Sequence, residues 1–183
     1  MLGKFLEPYK IEKGSNVKPT HTSMKGGKWN IPFDKMDEFY ILINTCIIQG
    51  SETLPIVEKI GDIHPLIIDI DIKYSDIISE RQYTKDTLLQ LLNQLWEHIS
   101  THLDISDFSQ GEVLLLEKSK VYPCSSSSYK TKDGIHLLFP KIILEKSAYK
   151  CMIQEIQQDN TFMEIFQKTC SIPPSNELDT LAV

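Results

Sequence analysis

The stretch from Pro65 to Lys73, PLIIDIDIK, alternates apolar and other side chains at successive positions. A period of two is that of a β-strand, in which neighbouring side chains point to opposite faces of a sheet. One face of the predicted strand is wholly apolar and consists of Leu66, Ile68, Ile70 and Ile72. The opposite face carries Ile67, Asp69, Asp71 and Lys73. The stretch therefore predicts a strand that packs one face on a hydrophobic core and presents two carboxylates on the other.

Helical and strand patterns lie on both sides of this stretch. Apolar positions repeat at three- and four-residue steps after Thr84, which predicts a helix that Thr84 caps and that runs to about His102. The other predicted elements are strands at Phe39–Gln49, Val113–Leu116 and Ile135–Phe139, the last closed by Pro140, and helices at Ser147–Gln158, capped by Ser147, and Phe162–Lys168. A further apolar element begins at Leu178. This mixture predicts an α+β fold, with a mixed or antiparallel sheet and flanking helices.

The composition limits the class of protein. The 183 residues, of which 41% are apolar and 24% charged, suit one domain or at most two small ones, and they exclude disordered, collagen-like and coiled-coil proteins. No apolar run reaches the roughly 18 residues that a membrane helix needs. The cysteines are widely spaced and form no CxxC pair, which argues against a zinc ribbon or a disulfide scaffold and predicts a reduced, intracellular protein.

The charge is unevenly distributed along the chain. The net charge of −6 argues against a surface that coats nucleic acid. Residues 1–35, however, hold seven lysines against three acidic residues, so this segment carries +4 and residues 36–183 carry −10. Four glycines and three prolines within residues 1–35 predict an extended or looped arm. We therefore expect a basic N-terminal arm at residues 1–35 and a folded domain at residues 36–183.

Asp69 and Asp71 share one face of the predicted strand, with about 7 Å between their Cα atoms. Two like charges in an apolar strand are costly to bury unless a positive group joins them. Carboxylate oxygens suit Mg²⁺ or Mn²⁺, and pairs of such ions serve phosphoryl and nucleotidyl transfer. The alternative is an exposed edge strand with two ordinary surface aspartates, and these residues alone leave both interpretations open.

A second group of polar residues lies around the predicted strand that follows Gly134. If this strand neighbours the strand of Asp69, the imidazole of His136 can reach the same pocket and donate to a phosphate oxygen. The lysines of the preceding segment can neutralise a triphosphate: Lys118, Lys120, Lys130 and Lys132. The alternative is a histidine at a strand edge with solvated lysines. His98 and His102 have the spacing of metal ligands on a helix, but the sequence shows no third ligand beside them.

Three short motifs follow one another along the chain: Ile68–Ile72, with aspartates at its second and fourth positions; Gly134–His136; and Leu178–Asp179. This order resembles the three motifs of the archaeo-eukaryotic primase superfamily. The sequences PLIIDIDIKY and KDGIHLLFP are most similar to those of the primase domains that are fused to helicases in large cytoplasmic DNA viruses. The resemblance covers roughly residues 36–183, and it implies a primase catalytic domain with an RRM-like core.

The resemblance implies a role for each motif residue. Asp69 and Asp71 would be the first two metal-binding carboxylates and Asp179 the third, while His136 would contact the phosphates of the incoming nucleotide. The family often has a serine two residues before this histidine, and Gly134 cannot supply that hydroxyl. The implied ions are Mg²⁺ or Mn²⁺. The implied partners are a single-stranded DNA template, nucleoside triphosphates and a C-terminal helicase domain of the same polypeptide.

Together these observations predict a DNA primase or polymerase module, which makes primers on single-stranded DNA for viral genome replication in the host cytoplasm. No membrane partner is expected. The apolar end of the chain at Val183 leads us to expect a piece of a longer primase-helicase. Two alternatives stay open: a metal-dependent nuclease or phosphohydrolase with the same carboxylates, and a non-catalytic module that docks nucleic acid or protein.

Overall fold

The computed structural model describes residues 1–50, 55–105, 111–125 and 128–175, together with the backbone of residues 179–181. The chain divides into two compact units, Met1–Gly61 and Asp62–Val183, and each unit has its own sheet. The first unit continues beyond residue 35, where the sequence predicted a boundary, because side chains from the helix that follows complete its hydrophobic core.

Within the described residues, the first unit combines a three-stranded antiparallel sheet with two helices. Its strands are β1 (His21–Ser23), β2 (Lys28–Trp29) and β3 (Ile56–Glu58), in the order β2-β1-β3. Its helices are α1 (Leu2–Leu6) and α2 (Met36–Ile48), and single 3₁₀ turns occupy Glu7–Tyr9 and Phe33–Lys35. Helix α1, the ring of Trp29 and helix α2 share one hydrophobic core. The segment predicted as an extended arm is therefore folded.

The apolar run Phe39–Gln49, predicted as a strand, forms most of helix α2. Its apolar residues that are buried or partly buried in this core recur at helical steps: Met36, Phe39, Leu42, Ile43 and Cys46. In contrast, Ile41 and Ile47 are exposed. The strand prediction is wrong because it rested on the content of β-branched residues, whereas the spacing of the buried positions decides the structure. Gly50, with a φ of 61°, follows the helix in a left-handed conformation that glycine adopts without strain.

The second unit is built on two long antiparallel strands, β4 (Ile63–Tyr74) and β7 (Thr131–Glu145). Strands β5 (Leu114–Glu117) and β6 (Tyr122–Pro123) pair with β7, and β8 (Asp179–Leu181) pairs with the other edge of β4. All of these pairings are antiparallel. Of the two predicted forms, a mixed sheet and an antiparallel sheet, the structure has the antiparallel one. On β4 the alternate positions from Leu66 to Tyr74 are buried, as the sequence pattern predicted.

Among the described residues, three helices cover the apolar face of this sheet: α3 (Lys85–His102), α4 (Lys146–Gln158) and α5 (Thr161–Thr169). The apolar strand residues and the inner faces of these helices form one hydrophobic core. Thr84 caps α3 as predicted, because its hydroxyl accepts the N–H of Thr87. The cap of α4 is Glu145 and not the predicted Ser147. None of the described helices has the length and apolar character needed to cross a membrane.

The predicted end of a strand at Pro140 is wrong, because β7 continues beyond it. Leu66 pairs with Phe139. Its neighbour Pro65 pairs with Ile143, so the register shifts by several residues at this point. Pro140 and the two residues after it form a bulge, which accommodates a proline that has no N–H to donate to the ladder.

Candidate functional site

Asp69 and His136 face each other across the two central strands. They are directly paired in the register of β4 and β7, and Nε2 of His136 lies 3.3 Å from Oδ1 of Asp69. Their strand neighbours Ile70 and Ile135 are buried in the core, so Asp69 and His136 point away from the helices. We call the sheet surface opposite the helices the site face. The first two sequence motifs therefore meet on this face.

The carboxyl group of Asp69 is largely enclosed, with 16% of its side chain exposed. Its Oδ1 is buried and accepts no hydrogen bond from the described part of the chain, so the 3.3 Å approach of His136 is a close contact without hydrogen-bond geometry. Burial raises the pKa of Asp69; His136 and Lys118 act to lower it, and the charge of Asp71 raises it further. Asp69 therefore has a carboxylate oxygen available to a cation.

Asp71 is paired with a lysine from the end of β5, which lies on the far side of β7. Lys118 follows β5, and its Nζ lies 3.3 Å from Oδ1 of Asp71. The residue opposite Asp71 on β7 is Gly134, where a Cβ atom would lie 2.9 Å from Nζ of Lys118. Glycine at this position therefore leaves the space through which Lys118 crosses β7.

The backbone at Lys118 is held by a buried ion pair. Nε and Nη2 of Arg81 donate to the two carboxylate oxygens of Asp133, at 2.9 and 3.2 Å. Nη2 of Arg81 also donates to the carbonyl of Lys118, and Nη1 lies 2.9 Å from Oε1 of Glu117. Asp133 is fully buried and accepts the N–H of Gly134 as well. Arg81 thus fixes the end of β5 beside Gly134, and in this way it positions Lys118.

The lysines predicted to bind phosphate lie near one end of this site. Lys132 pairs with Lys73 in the β4–β7 register, and the alternation along β7 places it on the site face with His136. Lys130 precedes β7 and is exposed. Lys120 is also exposed, and its Nζ lies 5.9 Å from the centre of the Tyr122 ring. Of the three lysines, Lys132 is the one that the strand register brings to the carboxylates.

The third predicted carboxylate belongs to strand β8. Asp179 pairs with Asp71 in the β4–β8 register, so Asp71 has Asp179 opposite it on one side and Gly134 on the other. Leu178, the other residue of that motif, lies outside the described residues. The backbone of the sheet thus brings the four motif positions, Asp69, Asp71, His136 and Asp179, to adjoining places on three neighbouring strands.

The carboxylates of this site belong to the residue types that hold a divalent metal ion. Asp69 and Asp71 offer oxygen ligands of the type that Mg²⁺ and Mn²⁺ prefer, and the buried Oδ1 of Asp69 has no donor among the described residues. Lys118 supplies a positive charge beside Asp71, and His136 is 46% exposed at the rim. A site with these parts can hold a cation and bind an anion such as a phosphate next to it.

A comparison with known protein families matches residues 20–181 to the family described as "C962R protein N-terminal AEP domain", where AEP denotes archaeo-eukaryotic primase. The matched range contains all the motif residues described above. The chain belongs to the archaeo-eukaryotic primase family. This membership confirms the resemblance seen in the motifs. The antiparallel sheet with flanking helices agrees with the α+β fold expected for a primase domain.

Two viral proteins are similar to this primase-family domain over nearly its whole length. "Putative helicase L207/L206" of Acanthamoeba polyphaga mimivirus is 29% identical over 181 residues, which cover 97% of this chain and 18% of that protein. "Putative helicase 184R" of Invertebrate iridescent virus 6 is 27% identical over 190 residues, which cover 93% of this chain and 20% of that protein. The domain thus spans about a fifth of the length of these relatives.

The fold, and not the sequence, shows that two further residues of the primase-family domain belong to the site, Lys118 and Arg81. From the sequence, Lys118 is one of four lysines able to meet a triphosphate, because nothing local shows that β5 pairs with β7. Arg81 has a clearer signal, since it is the one arginine of the sequence. Arginine is the residue best suited to a two-pronged contact with a buried carboxylate, but its partner Asp133 could not be named without the fold.

Proposed function

We propose that this domain is the catalytic module of a DNA primase, which joins nucleoside triphosphates into primers on a single-stranded DNA template. The observation that carries the proposal is the strand register, which pairs Asp69 with His136 and Asp71 with Asp179. Nucleotidyl transfer needs carboxylates that hold divalent ions next to groups that bind phosphate. These residue types meet that need, and the family membership supports the same chemistry.

In the proposed reaction, the 3′-hydroxyl of a primer attacks the α-phosphorus of the next nucleotide, the new ester bond forms, and pyrophosphate leaves. Asp69, Asp71 and Asp179 would hold Mg²⁺ or Mn²⁺. When bound, the ion supplies the positive charge that makes the hydroxyl a better nucleophile and stabilises the leaving pyrophosphate.

The remaining residues of the site act on the triphosphate. His136 is accessible from solvent, and in the proposal its imidazole donates a hydrogen bond to a phosphate oxygen. Lys132, on the same face of the sheet, and the exposed Lys120 and Lys130 would attract the negative charge of the triphosphate. Lys118 balances the charge of Asp71.

The test combines two measurements on the same protein: incorporation of labelled nucleotides on single-stranded DNA, and binding of Mn²⁺. We expect the double variant Asp69→Asn/Asp71→Asn to lose both, because it keeps the shape of the side chains and removes their charges. Glu112→Gln is the matched control, since this exposed carboxylate pairs with Lys141 at 3.1 Å and belongs to no site. Synthesis at the full rate in the double variant would contradict the proposal.

Other results of the same experiment would identify the rival functions. Cleavage of DNA without nucleoside triphosphates would show a nuclease or phosphohydrolase that uses the same carboxylates. A chain that binds neither Mn²⁺ nor nucleotide would be a docking module. Mn²⁺ binding is the more direct measurement, because the chain spans about a fifth of its relatives and synthesis can depend on the rest of the protein.

The proposal extends to the surroundings of the domain. Its proposed partner is a C-terminal helicase of the same polypeptide, in line with the helicase names of the two viral relatives. The proposed setting is viral genome replication in the host cytoplasm. The charge of +4 on residues 1–35 supports a role for this segment in holding the DNA template.

A further inference from the structure

A second cluster of metal-binding residue types lies on the helices of the second unit. His98 and His102 are on α3, about one helical turn apart, and Glu155 is on α4. The possible ligand atoms of these three residues all lie within 4.8 Å of one another. The third ligand that the sequence does not show beside the two histidines therefore comes from a different helix.

Existing contacts already hold these side chains together. Nε2 of His102 lies 2.5 Å from Oε2 of Glu155, and Nε2 of His98 lies 2.7 Å from Oδ2 of Asp159. Gln94 donates to the same oxygen of Asp159 at 3.1 Å. A carboxylate that orients a histidine ring is a common outer partner in zinc sites, and Asp159 is placed to do this for His98.

The cluster stands on a rigid base and is open to an ion. The inner faces of the two helices are anchored in the core by Leu95, Ile99, Met152 and Ile156. The side chains of His102 and Glu155 are 38% and 50% exposed. A groove of about 410 Å³ adjoins them, lined by Gln94, Glu97, His98, Thr101, His102 and Glu155. An ion can therefore reach the ligands without any opening of the core.

We propose that His98, His102 and Glu155 form a transition-metal site, with Zn²⁺ as the preferred ion. Two imidazoles and one carboxylate are a known three-ligand set for Zn²⁺, whereas Mg²⁺ and Mn²⁺ prefer oxygen ligands. The bound ion joins α3 to α4 and so stabilises the helix layer that supports the sheet. This site does not depend on the proposed primase function, because the carboxylates of that function lie on the opposite face of the sheet.

Calorimetric titration of the whole chain with Zn²⁺, after treatment with a chelator, tests the proposal. The protein carries Asp69→Asn and Asp71→Asn, so that the strand carboxylates do not contribute to binding. We expect one Zn²⁺ per chain, no comparable binding of Mg²⁺, and a melting temperature that rises with the Zn²⁺ concentration.

Two further substitutions locate the ion. Glu155→Gln and His102→Gln each remove a ligand, and each should weaken Zn²⁺ binding by at least about tenfold and cancel the rise in melting temperature. Glu97→Gln is the matched control, because Glu97 lines the same groove without belonging to the cluster. The proposal would be overturned if the Asp69→Asn/Asp71→Asn protein did not bind Zn²⁺, or if both ligand variants bound Zn²⁺ with unchanged affinity. The melting temperature without metal checks that each variant is folded.

Discussion

Among its described residues, the second unit has two clusters of polar side chains that include potential metal ligands, and the clusters differ in their elements and in their donor atoms. The sheet cluster consists of Asp69, Asp71, His136 and Lys118, and the helix cluster consists of His98, His102 and Glu155. The sheet cluster offers carboxylate oxygens, with Nζ of Lys118 and Nε2 of His136 each 3.3 Å from one of them, an arrangement for a hard cation and a phosphate. The helix cluster offers mainly imidazole nitrogen, which suits Zn²⁺.

The two clusters also differ in the structural features that bring their residues together. The helix cluster depends on the repeat of one helix and on one packing contact, between α3 and α4. The sheet cluster depends on the register of several strands that are distant in sequence, and on the buried pair of Arg81 and Asp133 behind it. We therefore expect the sheet cluster to respond to substitutions that do not touch its own residues, and the helix cluster to respond mainly to changes in its ligands.

The largest effect should follow from breaking the ion pair behind the sheet cluster. In Asp133→Ala the partly buried Arg81 loses its two hydrogen bonds to the carboxylate, so the free energy of unfolding should fall by about 3 to 5 kcal/mol. Urea unfolding measures this loss. Glu164→Gln breaks an exposed pair with Lys168 and should cost less than about 1 kcal/mol. Similar losses in the two variants would contradict the special role of the buried pair.

A smaller effect is expected beside the helix cluster. Asp159→Asn removes a charged acceptor of His98 and should lower the free energy of unfolding at pH 7 by about 1 kcal/mol, without metal. The pKa of Asp159 is lowered to about 2, so its contribution is complete above about pH 4 and is lost as the pH falls towards 2. Urea unfolding at several pH values should show the difference from the wild type shrink in this range; a difference that grows would contradict the assignment.

Removal of the lysine from the sheet cluster should change metal affinity and leave the fold intact. Lys118→Met frees Asp71 from a competing cation, so Mn²⁺ should bind about threefold to fivefold more tightly. Calorimetric titration with Mn²⁺ measures the change. Lys141→Met, at an exposed pair with Glu112, serves as the control and should leave the affinity unaltered. Weaker Mn²⁺ binding in Lys118→Met would show that the lysine supports the ion.

The smallest effect on Mn²⁺ binding should come from substitution of Gly134, which leaves space for the side chain of Lys118. In Gly134→Ala the new Cβ atom would lie 2.9 Å from Nζ of Lys118, whose flexible end has to move away from Asp71. Mn²⁺ binding should become about twofold tighter. Combined with Lys118→Met, the substitution should add nothing further, because both changes act on one contact. Additive effects in this double-variant cycle would place Gly134 outside the contact.

Sequence predicts the parts of this fold that depend on local periodicity. The alternation of β4 assigns both of its faces, because burial follows the period of a strand. Thr84 predicts the start of α3 because a hydroxyl at that position accepts a hydrogen bond from a backbone N–H of the first turn. Helix α2 shows the limit of such rules: its β-branched content favours a strand, and the burial of Phe39 and Cys46 in a shared core favours a helix.

The candidate sites are predictable only as far as they are local. The strand period alone places Asp69 and Asp71 on one face, and the helix period alone places His98 beside His102. The approach of Glu155 to the histidines depends on the packing of α4 against α3, and that of Lys118 to Asp71 depends on the pairing of β5 with β7. Such contacts join segments that are far apart in the chain, and no local sequence pattern in either segment predicts them.

The bulge at Pro140 divides β7 into two stretches with opposite alternation. Before it the odd-numbered residues are buried, whereas from its last residue onwards the even-numbered Ile142 and Leu144 are buried. Because the bulge can gain or lose residues, it isolates the first stretch from changes of length in the second. Insertions after the bulge should therefore leave the pairing of His136 with Asp69 intact. A single insertion between Gly134 and His136 would instead turn the imidazole to the core side of the sheet.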